Sequence, residues 1–210
     1  MAKLLYIEAS PRKARSASIQ VARAFLDAYR AAHPADQVET LDLWQTPLPE
    51  LDETLINARY ALIQGEGHSS EQAAAWARVA MLAERFKSAD KYLFSLPMWN
   101  FGIPYKLKHL IDAITHPGLT FSFAPETGYQ GLVTGKPAVV IYARGGEYPA
   151  GSPAEGYDLQ KRYFEQWLGF IGITAVQAVV VEPTLAAGPE GAERAKAAAS
   201  QKAAGMARGF

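Results

Sequence analysis

The chain has 210 residues, with 21 basic and 21 acidic side chains and no cysteine. That length fits one domain, 1–210, better than two, and the even charge argues against nucleic acid as the main partner, which needs a net basic face. The missing cysteines exclude disulfides, thiolate nucleophiles, iron–sulfur clusters and cysteine zinc sites. The opening residues, Met-Ala-Lys-Leu-Leu-Tyr-Ile, lack the apolar core and cleavage site of a signal peptide. No apolar run approaches the roughly 20 residues that span a bilayer. A cytoplasmic protein without a membrane partner is expected.

Lys3 to Ala9 is an apolar run too short for a helix, stopped by Ser10-Pro11, and reads as a buried strand. Ser16 to Ala32 has helical spacing, with Ile19, Ala22, Phe25, Leu26 and Tyr29 on one stripe, and His33-Pro34 ends it. Val38 to Leu43 alternates as a second strand. Residues 45–70 form an insertion opened by Pro47 and Pro49, with a helix over Glu53 to Gln64 broken at Gly65-Glu66-Gly67-His68. Ser69 or Ser70 can cap the next helix, which runs to about Lys87. Lys91 to Leu96 is a third strand. Pro104 suits the first turn of a helix that buries Leu107, Leu110, Ile111 and Ile114. Thr120 to Phe123 is a short alternating run, read as an excursion from the sheet. Pro137 to Ala143 is the fourth sheet strand, Asp158 to Phe170 a helix and Ala175 to Val181 the fifth strand. An alanine-rich helix follows from Pro189, with a frayed end expected after Gly205. Five alternations of strand and helix predict a doubly wound α/β parallel sheet with right-handed crossovers and helices on both faces.

In such a sheet, ligands sit beyond the carboxyl ends of the strands. Three segments fall there. The first, Ser10-Pro11-Arg12-Lys13-Ala14-Arg15-Ser16-Ala17-Ser18, offers three hydroxyls (Ser10, Ser16, Ser18), the cations Arg12, Lys13 and Arg15, and the free N–H groups of a helix start. A single terminal phosphate suits this arrangement. Neither a Walker loop nor a dinucleotide Gly-x-Gly-x-x-Gly turn is present. The same residues would also serve an ordinary capped helix with a solvated basic loop. The second segment, Pro97-Met98-Trp99-Asn100-Phe101-Gly102-Ile103-Pro104, brackets large apolar side chains and one amide between prolines. It can present a stiff backbone and an aromatic wall to a flat ring, or be only a buried plug. The third, Ala143-Arg144-Gly145-Gly146, allows close backbone approach to a ligand, or is only a tight turn. With a strand order of 2-1-3-4-5 the three segments lie side by side. One flat phosphorylated ligand could touch all three, and FMN fits.

These segments resemble those of the FMN-dependent azoreductases, which are also NADH:quinone oxidoreductases, in the flavodoxin-like superfamily. The resemblance covers nearly the whole chain. It is carried by Ser10 with Ser16-Ala17-Ser18, by Pro97 to Phe101, by Gly131 to Lys136, by Arg144-Gly145-Gly146 and by Leu168 to Ile173. It implies a phosphate site at Ser10 and Ser16 to Ser18, a ring-contacting loop at Met98, Trp99, Asn100 and Phe101, and a pyrimidine-edge loop at Ala143 to Gly146. It also implies a homodimer in which residues of both subunits line the site, with Phe123 and Trp167 walling the partner's flavin. Read without the resemblance, Trp167 is a core residue of its own subunit. Two departures stand out: Trp99 where the family commonly has tyrosine, and Ala143 where it commonly has serine.

The expected activity is two-electron, ping-pong hydride transfer from NADH or NADPH through FMN to quinones or aromatic azo compounds. The cofactor carries the chemistry, so no catalytic side chain and no metal are assigned. The alternative is a flavodoxin-like carrier of single electrons between proteins. Carriers of that kind tend to be strongly acidic, whereas this chain is neutral. His68, His109 and His116 read as loop, surface or supporting residues.

Overall fold

The computed structural model describes residues 1–210. Strands β1 (Lys3–Glu8), β2 (Gln37–Asp42) and β3 (Lys91–Pro97) are separated by helices α1 (Ala17–Ala32), α2 (Glu53–Gln64) and α3 (Ser70–Lys87). Helix α4 (Tyr105–Ile114) follows, then the short strands β4 (Phe121–Ala124) and β5 (Gly128–Gly131). Strand β6 (Ala138–Ala143), helix α5 (Leu159–Ile171), strand β7 (Val176–Val181) and helix α6 (Gly188–Ala207) complete the chain. The main sheet runs β2-β1-β3-β6-β7, all pairs parallel. This is the expected order 2-1-3-4-5, renumbered because β4 and β5 pair antiparallel with each other as a separate hairpin.

Strand alternation sorts the core into two layers. Leu5, Ile7, Tyr92, Phe94, Val140 and Tyr142 face α3, α4 and α5. Leu4, Tyr6, Leu93, Val139 and Ile141 face α1 and α6. Helix ends follow local chemistry. The Ser69 side chain and Gln72 form a capping box at α3, Asp52 caps α2, and Gly65 and Gly172 close α2 and α5 in left-handed conformation.

Two expectations change. The terminal helix does not fray at Gly205 but continues to Ala207, because Ala203 and Ala207 are buried on the α1 side. Phe210 then docks on Phe25 at 5.6 Å and on Tyr29 at 6.4 Å. The hairpin is also more firmly held than an excursion need be. Gly131 lies so close to Ile171 and Gly172 that a Cβ there would collide with their backbone. Val133 N–H donates to the Ile171 carbonyl at 2.8 Å. The hairpin is therefore fixed to the C-terminal end of α5. No helix is long and apolar enough to cross a membrane.

Candidate functional site

Loop 10–18 joins β1 to α1. Ser10, Ser16 and Ser18 are all buried, and the Ser16 and Ser18 hydroxyls hydrogen-bond each other at 3.1 Å. Ser16 occupies the N-cap of α1, yet its side chain caps nothing. The N–H groups of Ala17, Ser18 and Ile19 therefore donate to no protein group. Three orphaned donors, a positive helix end and buried hydroxyls meet at one place.

The three cations of this loop do not act alike. Lys13 takes a left-handed conformation, φ 48°, and turns its ammonium to Glu8 at 2.7 Å and to Asp42. Partial burial opposes its charge, but the hydrogen bonds to Asp42 and Glu8 outweigh this and raise its pKa. Lys13 thus lashes the loop to the ends of β1 and β2. Arg12 and Arg15 stay exposed and form no ion pair.

Loop 97–104 follows β3. Trp99 and Gly102 exchange two backbone hydrogen bonds of 3.0 Å, and φ is +47° at Asn100 and +70° at Phe101. Two consecutive positive φ values make a type I′ turn. Asn tolerates this conformation; Phe does so only under strain of about 1–3 kcal/mol. Surrounding rings over-determine the turn. Trp99 stands 5.9 Å from Trp44 and 6.2 Å from Tyr105, and Phe101 stacks on Tyr157 at 5.2 Å. The Asn100 and Phe101 N–H groups donate to no protein group, so the turn presents backbone donors.

Loop 143–146 follows β6 and is tied to its neighbour by Met98 N–H, which donates to the Ala143 carbonyl at 2.8 Å. The Arg144 side chain points inward and is buried. It bonds Asp158 at 2.6 Å, Gln160 at 3.3 Å and Glu182 at 3.4 Å. What this loop offers outward is backbone: the N–H groups of Gly145 and Gly146 donate to no protein group. The Gly145 carbonyl is held by Leu185 and Ala186 N–H at 3.1 and 3.0 Å.

The structure therefore brings the Ser10, Ser16–Ser18, Pro97–Phe101 and Ala143–Gly146 segments to neighbouring strand ends. Phe123 and Trp167 are not there. Phe123 is exposed on the hairpin, 4.9 Å from Tyr129. Trp167 is packed in the core of its own chain, in the inward stripe Phe164, Trp167, Leu168 and Ile171. Its indole N–H donates to Thr115 Oγ1 at 3.0 Å. Within its own chain it takes the core place that the residues alone imply, because α5 turns position 167 toward Phe86 of α3.

Beside the Asn100–Phe101 turn, a cleft of about 590 Å³ opens between α4 and α5, lined by Ile103, Tyr105, Leu159, Arg162 and Tyr163 among others. Sequence reading missed Trp44, Tyr105, Tyr157 and Gln160. Trp44 carried a usable signal: it follows β2 directly and so also lies at the carboxyl edge of the sheet, where its indole N–H donates to the Ala9 carbonyl at 3.1 Å. His68 and His109 hydrogen-bond the Ala58 and Pro49 carbonyls. His116 is buried beside Trp76, and burial with the nearby Arg59 charge lowers its pKa to about 4.

A family profile described as flavodoxin-like fold matches residues 2–205. An FMN-dependent NADH:quinone oxidoreductase of Nitratidesulfovibrio vulgaris (strain DP4) is 55% identical over 210 residues, covering 100% of both chains. The crystal structure of azoreductase from Bacillus anthracis str. Sterne superposes with a TM-score of 0.91 at 34% identity, covering 100% of both chains. An FMN-dependent NADH-azoreductase from Bacillus anthracis str. Ames Ancestor, in complex with FMN, superposes with a TM-score of 0.86 at 30% identity, covering 99% of this chain and 100% of that one. Similarity of this extent, along the whole chain, makes the chain a member of the flavodoxin-like family that includes the FMN-dependent NADH:quinone oxidoreductases and azoreductases.

Proposed function

We propose that this protein is an FMN-dependent NADH:quinone oxidoreductase that also accepts aromatic azo compounds. The observation that carries the reading is the meeting of orphaned donors at three neighbouring strand ends. The N–H groups of residues 17–19, with the hydroxyls of Ser10, Ser16 and Ser18, suit the FMN phosphate. The strained Asn100–Phe101 turn, backed by Trp99, suits the ring. The Gly145 and Gly146 N–H groups suit its pyrimidine edge, where they would stabilise developing negative charge. FMN held there would supply hydride chemistry, reduced by NADH and reoxidised by a quinone, which becomes hydroquinone by taking one hydride, and one proton from water. The protein binds and orients, and no protein nucleophile is required. NADH as donor suits a cytoplasmic location. A net charge of zero departs from the strongly acidic balance expected of a carrier of single electrons.

The position of the hairpin supports a shared site in a homodimer. The three loops lie at the N-terminal end of α5, and Phe123 belongs to a hairpin fixed at its C-terminal end. Thirteen helical residues span about 20 Å. Phe123 therefore cannot wall its own chain's ring, whereas the exposed group Phe123, Tyr129 and Phe170 suits the flavin of a second copy. An aromatic wall gains stacking and area burial from flat quinones without requiring a specific polar group.

The test is a spectrum of the purified protein, then NADH oxidation with a quinone. A yellow protein that releases FMN on denaturation is expected. A colourless protein that FMN cannot reconstitute overturns the reading. Full quinone reductase activity in a dilute monomer overturns the shared site alone.

A further inference from the structure

The first turn of α5 touches both ring-facing loops at once. Asp158, its N-cap, accepts from Lys161 N–H at 3.0 Å with one carboxylate oxygen and from the Arg144 guanidinium at 2.6 Å with the other. Just before it, Tyr157 stacks on Phe101 of the strained turn. Two residues after it, Gln160 is fully buried. Its side-chain oxygen accepts from Arg144 Nε at 3.3 Å, and its side-chain nitrogen donates to the Leu96 carbonyl at 3.3 Å. Leu96 is the penultimate residue of β3, one residue before Pro97 opens the ring-contacting loop. One amide thus bridges the roots of the loops after β3 and β6.

We propose that Gln160 is a positioning residue that sets the separation of those two loops and, through it, the preference of the site for reduced over oxidised flavin. The inference rests on the FMN reading above. An amide suits the place because it accepts from a cation on one side and donates to a carbonyl on the other. Methionine fills similar volume and does neither. Glutamate keeps the acceptor for Arg144 but sets a carboxylate against the Leu96 carbonyl. The N–H groups of Gly145 and Gly146 gain strength as the ring edge becomes negative, so displacing them weakens reduced flavin more than oxidised. The phosphate loop shares no hydrogen bond with Gln160.

The experiment measures FMN and riboflavin affinity and the flavin midpoint potential in wild type, Gln160→Met, Gln160→Glu and Tyr92→Phe. In Gln160→Met the preference for reduced flavin should fall about tenfold, which for a two-electron couple is about 30 mV. The ratio of FMN to riboflavin affinity should stay at the wild-type value. Gln160→Glu should shift the potential in the same direction by less. Tyr92→Phe removes another buried hydrogen bond of β3, to the Phe86 carbonyl at 2.8 Å, and should leave the potential unchanged. A wild-type potential in Gln160→Met overturns the proposal, as does an equal shift in Tyr92→Phe. Should Gln160→Met not fold, Gln160→Glu decides by the same readouts. A wild-type protein that binds no FMN is a separate result: it removes the flavin reading itself.

Discussion

Loop 10–18 and loop 143–146 leave β1 and β6 at the same edge of the sheet, with β3 between them, yet they are built in opposite ways. The first turns side chains toward the site: three buried serine hydroxyls beside a helix start that its own N-cap leaves open. The second turns its one large side chain away. Arg144 is spent on Asp158, Gln160 and Glu182, and the backbone of Gly145 and Gly146 faces outward. Loop 97–104 follows the second pattern, with Trp99 and Phe101 holding a turn whose own N–H groups donate to no protein group. A residue at a binding edge can thus serve as ligand contact or as scaffold, and the two roles separate under mutation. Removing a contact weakens the ligand and spares the fold. Removing scaffold costs stability whether or not ligand is present.

The sharpest separation comes from Ser16→Ala combined with Ser18→Ala. Each hydrogen bond to a charged phosphate is worth about 1.5–3 kcal/mol, so losing both should raise the FMN dissociation constant by at least about a hundredfold. The melting temperature of the apoprotein should hold, because the two hydroxyls chiefly satisfy each other. Fluorescence titration with FMN and riboflavin checks both halves: riboflavin, lacking the phosphate, should bind the variant as it binds wild type. Unchanged FMN affinity would put the phosphate elsewhere.

Arg144→Met should do the reverse. It strands Asp158 and Glu182 without their cation, and breaking a buried pair on one side costs about 3–5 kcal/mol. Urea denaturation of the apoprotein should show the whole loss. An apoprotein of wild-type stability would mean that Arg144 is a contact after all, and that the contrast between the two loops is wrong.

The middle loop can be tested through its strain. Phe101 holds φ +70°, so Phe101→Val adds a β-branched side chain where even Phe is disfavoured, and should cost about 1–3 kcal/mol in apoprotein stability. Phe101→Gly relieves the strain and loses the stack on Tyr157, so it should fall within about 1 kcal/mol of wild type. Equal losses in the two variants would show that the ring contact, and not the backbone, holds the turn.

This contrast also explains what the sequence could and could not reveal. The sheet was legible because strand–helix alternation is local and repeats five times. Ser10, Ser16 and Ser18 were legible as candidates because hydroxyl chemistry is visible in the residue type. The turn at Asn100–Phe101 was not. Nothing local predicts a phenylalanine at positive φ, and the ring that braces it, Tyr157, lies far along the chain. The inward course of Arg144 depends on Asp158 and Gln160, which are distant in sequence and meet it only once α5 has packed on the sheet. Trp167 was ambiguous for a similar reason. A tryptophan on a helical stripe reads alike as core or as wall until the partner of that stripe is known, and here the partner is Phe86 of α3.

The smallest effect belongs to Arg15, and it probes the side-chain-built loop from its rim. Arg15 is exposed and makes no ion pair, whereas Lys13 beside it is committed to Glu8 and Asp42. An exposed cation near a bound phosphate acts through water, so its attraction is screened within about 10 Å at 0.1 M salt. Arg15→Ala should therefore weaken FMN by no more than about 1 kcal/mol at low ionic strength, and by almost nothing at 0.5 M salt. The serine double variant should show the same deficit at both, because its hydroxyls are buried and act at hydrogen-bond distance. Titrating FMN into each variant across a salt series distinguishes the two mechanisms. A large loss in Arg15→Ala that persists at high salt would mean that the guanidinium folds down onto the phosphate when ligand binds. Arg15 would then join the contacts rather than remain part of the rim.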